Sequence, residues 1–216
     1  RWRYLKRGDT ATGLPPGRSA VHKEMQAVLR HCGNLLDNTN AILASEQTVL
    51  SLHQVAATLA ETIPQLQVEY EKVVEILLQR GAPAGQVALA QRQTLLAERI
   101  LGAVNTVLAG DANAAQAAGT FGRDANRFGQ VLNGMLEGNE GLRISEVEEK
   151  DARARLLEIA ELFQFVSGSV DEILETSPQL SHVRAAADQI FNLSQTLLDE
   201  ASVLANGFEN LANSRY

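Results

Sequence analysis

Two arginines seven residues apart offer the clearest chemistry in this chain. In the run Gln91-Arg92-Gln93-Thr94-Leu95-Leu96-Ala97-Glu98-Arg99, Arg92 and Arg99 fall on nearly the same helical face, drifting by only ~20° over a heptad. Leu89, Leu96, Ile100, Ala103 and Val107 form the adjacent apolar arc, which puts both guanidiniums at its margin. Planar forks placed there suit a carboxylate, nitrate or phosphate held between helices or across a dimer. Gln91 and Glu98 flank the pair, and Glu98 would neutralise part of its charge. Gln91, Arg92, Glu98 and Arg99 are therefore the candidate ligand-binding residues. The same spacing also supports a structural role, in which the stems cover the edge of the core. Their heads would then pair with Glu98 or with acids on neighbouring helices.

Little else in the chain is arranged for chemistry. His22, His31, His53 and His182 are scattered, and no pair has metal-ligand spacing with a third donor. Gly119-Thr120-Phe121-Gly122 lacks the Gly-Lys-Ser/Thr sequel of a phosphate loop and follows no strand pattern. Glu146, Glu148, Glu149 and Asp151 are expected in the first turns of a helix, where negative charge suits the dipole. Cys32 is the one cysteine, so no intramolecular disulfide forms. It lies on the apolar seam Val28, Cys32, Leu35, Thr39, Ile42 and reads as a small buried hydrophobe. These patterns point to a protein that is not an enzyme and needs neither metal nor cofactor.

Composition narrows the partners. Of 216 residues, 45% are hydrophobic and only 5% aromatic, enough for a packed core. Net charge is −7, and a phosphate backbone demands a basic face, so nucleic acid is not an expected partner. The charge is uneven. Residues 1–31 hold seven Lys/Arg against two acids, a balance of +5, leaving −12 for the rest. No run approaches the ~18 apolar residues of a membrane span.

The elements that must carry the arginines come from an internal repeat. Ile42-Leu43 aligns with Ile173-Leu174, an offset of 173 − 42 = 131 residues. In that register Leu59 meets Ile190, Leu66 meets Leu197, Val73 meets Leu204, and Leu77 meets Phe208. Tyr4-Leu5 meets Met135-Leu136, and Arg1 falls opposite Leu132. The first copy therefore has no counterpart to residues 86–131, and the chain reads as part of something larger. The expected division is the C-terminal part of a first module over 1–80, a turn at 81–85, and a second module over 86–216.

Helical spacing runs through both copies, rich in Ala, Leu, Glu and Gln, residues that lose little side-chain entropy in a helix. Residues 1–8 read as the end of a helix, followed by the linker Gly13-Leu14-Pro15-Pro16-Gly17 and a Ser19 cap. Helical spacing resumes there and runs to about Arg80, with a break set by the repeat register near Ser45-Glu46. Pro64 is expected to kink or split the helix beyond it. Helices follow over about Gln86–Leu108 and Asn113–Leu136, and Gly122 and Gly129 would let a neighbouring backbone approach closely. Ser145-Glu146-Val147-Glu148 has the capping-box pattern for a helix reaching about Glu175. Ser177-Pro178 then places a cap and a first-turn proline ahead of a last helix to about Ala212. The seam of that helix is Val183, Ala187, Ile190, Ser194, Leu197, Ala201, Leu204, Phe208, Leu211, a heptad. The expected fold is all-α, an elongated antiparallel bundle with one complete four-helix module plus the last two helices of a preceding one.

The run AQRQTLLAERILGAVNTVLAGD, residues 90–111, resembles the first helix of the PilJ-type sensor module. FGRDANRFGQVLNGMLEGN, residues 121–139, is similar to that module's second helix. ILASEQTVLSLHQVAATLAETIPQLQVEYEKVVEILL and IAELFQFVSGSVDEILETSPQL resemble the type IV pilus branch of the family. The likeness spans nearly the whole chain and weakens over residues 10–34. It implies a periplasmic sensor region of an inner-membrane, chemoreceptor-like transducer, anchored by flanking membrane helices and homodimeric when intact. It further implies a HAMP-type relay and a cytoplasmic coiled coil controlling a CheA-type histidine kinase. The implied input is pilin, met in the periplasm as type IV pili retract, and the implied context is twitching motility and surface sensing. A looser likeness to nitrate-sensing histidine kinases matches their anion-binding arginine to Arg92. The last helix would lead to a membrane span, with Ser194 and Ala201 as small seam residues permitting the sliding that transmits a signal.

Overall fold

A computed structural model describes residues 21–213, apart from the side chains of residues 211 and 212. The expected helix end at 1–8, the linker at 13–17 and the Ser19 cap lie outside this range, and the Leu211 seam position falls among the side chains not described. Five helices make up the described chain: α1 (His22–Ala44), α2 (Glu46–Gln79), α3 (Ala84–Ala109), α4 (Ala114–Glu137) and α5 (Lys150–Asn213). The break between α1 and α2 falls at Ser45, as expected, although its counterpart in the repeat, 176–177, is unbroken helix. Gly81 and Gly110 end α2 and α3 with φ of 67° and 63°, a left-handed backbone that costs a residue without Cβ nothing. Among the described residues there is no strand, only an isolated bridge between Asn139 and Ile144.

The described residues divide into two compact units, one of residues 45–184 and one of residues 21–44 with 185–213. The first is a four-helix bundle of α2, α3, α4 and the opening half of α5, around a single core running from Leu52 to Leu180. Cross-helix pairs show each neighbour running antiparallel to the last. Ser51 meets Glu172 and Glu69 meets Arg155 between α2 and α5. Gln93 meets the Phe128 carbonyl and Arg99 meets Asp124 between α3 and α4. Phe128 stacks on Phe163 between α4 and α5. The bundle thus draws α2 from the first sequence copy and α3, α4 and the opening half of α5 from the second. The turn at 81–85 joins two helices of one core, so compact units and sequence modules divide the chain at different places.

Neither interior proline divides its helix. Pro64 lies within α2 without splitting it, and Pro178 lies within α5, which is 64 residues long and continues past it to Asn213. The expected separate last helix starting at Ser177-Pro178 is therefore corrected to one helix through that point. An interior proline costs about 3 kcal/mol, yet each one is flanked by core residues worth about 1.5–3 kcal/mol apiece. Ile63 and Leu66 are buried beside Pro64, and Ile173 and Leu180 beside Pro178. Packing outweighs the lost backbone bond.

The capping box at Ser145–Glu148 is also corrected. Val147 is buried and its N–H donates to the Met135 carbonyl at 2.8 Å, while Ile144 packs beside it. Burial holds this segment extended against the end of α4, so α5 starts later, at Lys150. Glu149 does the capping, its carboxylate accepting the Ala152 N–H at 2.6 Å. Of the four acids expected in the first turn, Asp151 is in it. Arg80 pairs with Asp151 at 3.2 Å and with Glu149 at 3.6 Å.

The second unit is sparser. α1 runs antiparallel to the closing half of α5 around a small core of Val21, Met25, Val28 and Leu204. Cys32 is half-buried, and it, Leu29, Leu197 and Phe208 each pack against that core. His31 Nε2 lies 3.3 Å from Glu200.

Candidate functional site

α3 carries the arginine pair, and its apolar arc packs as the spacing requires. Leu96, Ile100, Ala103 and Val107 are buried and Leu89 packs at the core edge. Arg92 and Arg99 therefore emerge at the margin, exposed, beside α4. Arg99 donates to Asp124 Oδ1 at 3.1 Å, and Oδ2 lies 3.0 Å away outside hydrogen-bond geometry. The acid is on a neighbouring helix, so this arginine takes the structural partner the sequence left open. Asp124 is only 10% exposed and the guanidinium 65%. Screening at the exposed end keeps such a pair in the range of about 0.2–1 kcal/mol.

The structure adds a third arginine that sequence spacing did not bring to the site. Arg127, on α4, joins Arg92 and Arg99 around a concavity of about 340 Å³ whose floor is Leu96, Gln93 and Val131. Arg92 and Arg127 make no ion pair among the described residues, and Asp124 is the acid paired at this site. Three cations against one acid leave a balance of +2 over a largely apolar floor that includes the Gln93 amide, an arrangement able to hold an oxyanion by forked hydrogen bonds. Gln91 and Glu98 are exposed and do not line the concavity, so Glu98 is not the neutralising partner. Arg127 was hidden because its relation to Arg92 depends on the α3–α4 register, which no local pattern encodes.

Behind the concavity, Gln93 is 1% exposed. Its Nε2 donates to the Phe128 carbonyl at 2.9 Å and to the Tyr70 hydroxyl at 3.3 Å. Burial pushes the Tyr70 phenol well above its ordinary pKa, and the Gln93 bond only partly offsets that. Tyr70 meets Phe128 edge to face at 5.5 Å, and Phe128 stacks on Phe163 at 4.7 Å. One buried amide thus ties α2, α3 and α4 together directly beneath the arginines.

A second groove, of about 840 Å³, runs between α4 and α5 past Gly122 and Gly129. These glycines admit side chains, not the backbone the sequence suggested. A Cβ on Gly129 would lie 2.9 Å from Phe163, and one on Gly122 would lie 3.4 Å from Val170. The transmission candidates lie in the other unit, far in sequence from the arginines. Ser194 is half-buried and bonds back to the Ile190 carbonyl at 2.7 Å, whereas Ala201 is exposed.

No protein-family model matches the chain. Over 215 residues, all of this chain, it is 66% identical to "Protein PilJ" of Pseudomonas aeruginosa strain PAO1. The chain is related to PilJ. That alignment covers 32% of the PilJ sequence. A second relative, "Putative methyl-accepting chemotaxis AlkN" of Alcanivorax borkumensis strain SK2, is 53% identical over 180 residues, 83% of this chain and 27% of that protein. The chain thus spans between a quarter and a third of the length of the relatives it matches. The PilJ likeness includes α3 and α4, so the arginine concavity lies within the matched region. No helix among the described residues is long and apolar enough to cross a membrane.

Proposed function

We propose that this chain is the periplasmic sensor region of a type IV pilus chemoreceptor-like transducer. It detects pilin and passes a conformational shift across the inner membrane to a CheA-type histidine kinase pathway. The observation that carries this reading is the 66% identity to PilJ over the full chain, joined to an all-helical fold. Long packed helices suit the task, because small axial or rotational displacements at an interface travel along them. The intact receptor is read as a homodimer in the inner membrane, and its chemistry as binding, with no catalysis. Titrating purified pilin into the 216-residue chain by calorimetry tests the input. Saturable heat is expected, and its absence with folded components would refute pilin recognition by this region. Alkaline phosphatase fused after residue 216 in the whole transducer tests the location: activity is expected, and an inactive, expressed fusion would overturn the periplasmic placement.

A second reading is favoured by the convergence of Arg92, Arg99 and Arg127 on one concavity, with Arg92 and Arg127 making no ion pair among the described residues. Under it, a small oxyanion is the input. Nitrate or inorganic phosphate titrated into the chain would then give heat that disappears when Arg92 and Arg127 are replaced by Gln. Pilin heat without anion heat leaves the first reading standing alone.

A further inference from the structure

Glycine spacing on α4 makes its groove against α5 a trough. Gly122 and Gly129 let α5 side chains sink toward the α4 backbone. A Cβ on Gly122 would lie 3.4 Å from Val170 and 3.5 Å from Leu174, and one on Gly129 would lie 2.9 Å from Phe163. Gly119 serves a different neighbour. A Cβ there would meet the Arg123 guanidinium at 3.4 Å, and Arg123 Nη2 donates to Thr120 Oγ1 at 3.1 Å. Arg123 is thus folded back along α4 and held there.

The shape of the trough selects its occupant. Along α4 the lining runs from Gly119 to Asn133, a rise of ~21 Å. Spread over that length, the volume of about 840 Å³ gives a mean cross-section of ~40 Å². A helix is ~10–12 Å across, so it rests on the rim and does not enter. A strand in stacked sheets occupies ~4.7 by ~10 Å, or ~47 Å², which matches the trough. At ~3.3 Å per residue, about six extended residues span it.

The lining matches a peptide backbone. Asn126, Gln130 and Asn133 stand on the α4 wall, and none makes a side-chain hydrogen bond among the described residues. A primary amide both donates and accepts, as each backbone unit does, so these three can hold a chain whatever its side chains. Phe163, Val170 and Leu174 supply the apolar surface beneath. Arg123 on α4 and Asp171 on α5 also line the trough, next in sequence to Gly122 and Val170, which are neighbours across it. Both are exposed, and neither makes an ion pair among the described residues. An acid beside a guanidinium suits the first residue of a peptide. Its ammonium is charged at pH 7, and its carbonyl accepts a hydrogen bond. With charges balanced, this end does not select an anion, unlike the arginine concavity on α3 and α4.

We propose that the trough between α4 and α5 binds a short extended peptide. Its free N-terminus sits at Asp171 and Arg123, and its backbone runs along Asn126, Gln130 and Asn133. The assignment requires neither pilin nor an oxyanion as the input.

Fluorescence anisotropy with the 216-residue chain tests this. The probe is a hexapeptide of alternating leucine and serine, carrying fluorescein on an added C-terminal lysine. With a free N-terminus it should bind saturably. Its N-acetylated form should bind at least roughly threefold more weakly, the scale of one exposed ion pair. Asp171→Asn should weaken the free probe by the same factor and leave the acetylated one unchanged. Asn126→Ala with Asn133→Ala should weaken both probes, and Ser167→Phe should block both by filling the trough. All four positions are exposed, and circular dichroism checks that each variant folds. Absence of saturable binding to the folded wild-type chain overturns the proposal. So does an Asp171→Asn effect that is the same for both probes. Dimerisation in sedimentation that Ser167→Phe abolishes also overturns it, since a second copy would then fill the trough.

Discussion

Replacing Gln93 by Leu removes a buried amide that ties three helices of the bundle together, while nearly preserving volume. The bonds lost are those to the Phe128 carbonyl and the Tyr70 hydroxyl. The Phe128 carbonyl remains in the α4 ladder, so the main loss is at Tyr70, whose hydroxyl is left buried without its donor. A stranded buried polar group costs about 1–3 kcal/mol, whereas removing both partners together is nearly neutral. Gln93→Leu should therefore destabilise the bundle by about 1–3 kcal/mol, and Tyr70→Phe by about 0.5–1.5 kcal/mol. The double variant should be more stable than Gln93→Leu alone. Urea unfolding gives the stabilities, and amide exchange in α3 and α4 places the loss within residues 45–184. If the two losses simply add, within about 0.3–0.5 kcal/mol, the hydroxyl and the amide are not partners and this account of the core fails.

Arg92→Gln with Arg127→Gln should leave the melting temperature nearly unchanged, because neither arginine makes an ion pair among the described residues; a clear fall would assign them a structural role. Gly33→Ala and Gly168→Ala, each with open space beside the new methyl, should stabilise by about 0.5–1 kcal/mol. Gly129→Ala should instead destabilise, because overpacking against Phe163 at 2.9 Å costs about 1–3 kcal/mol; equal urea midpoints for all three would refute this. Stability should be insensitive to Tyr70 ionisation below about pH 10 and fall above it, because the folded phenol resists ionising while the unfolded one does not. Tyr70→Phe should remove that alkaline component from a pH series of urea midpoints. In the present chain Ala201→Leu should change stability by less than about 0.5 kcal/mol, since Ala201 is exposed; a larger urea-midpoint shift would show a buried seam.

Much of the helical content was legible from residue order. Apolar residues three and four apart on α2 mark its buried stripe from Leu52 to Leu77 without exception. The glycines after α2 and α3 mark their ends. These are local facts, fixed by the 3.6-residue period and by which backbones need no Cβ. Where the local signal erred, tertiary burial was the cause. Pro178 reads as a start, yet the core on either side carries α5 through it. Ser145 reads as a cap, yet Ile144 and Val147 are worth more packed against α4 than wound into a helix.

The arginine site divides the same way. That Arg92 and Arg99 share a face follows from their spacing alone. That Arg99 finds Asp124, that Arg127 joins the concavity, and that Glu98 stays outside it all depend on the register of α3 against α4. By itself, residue order determined which helices are alike, through the offset that pairs α2 with the closing half of α5. Only the tertiary structure decided which helices pack together. Likeness is carried by side-chain pattern within one helix, whereas partnership depends on which complementary face the connections bring within reach, and here the last helix of the first copy closes the bundle of the second.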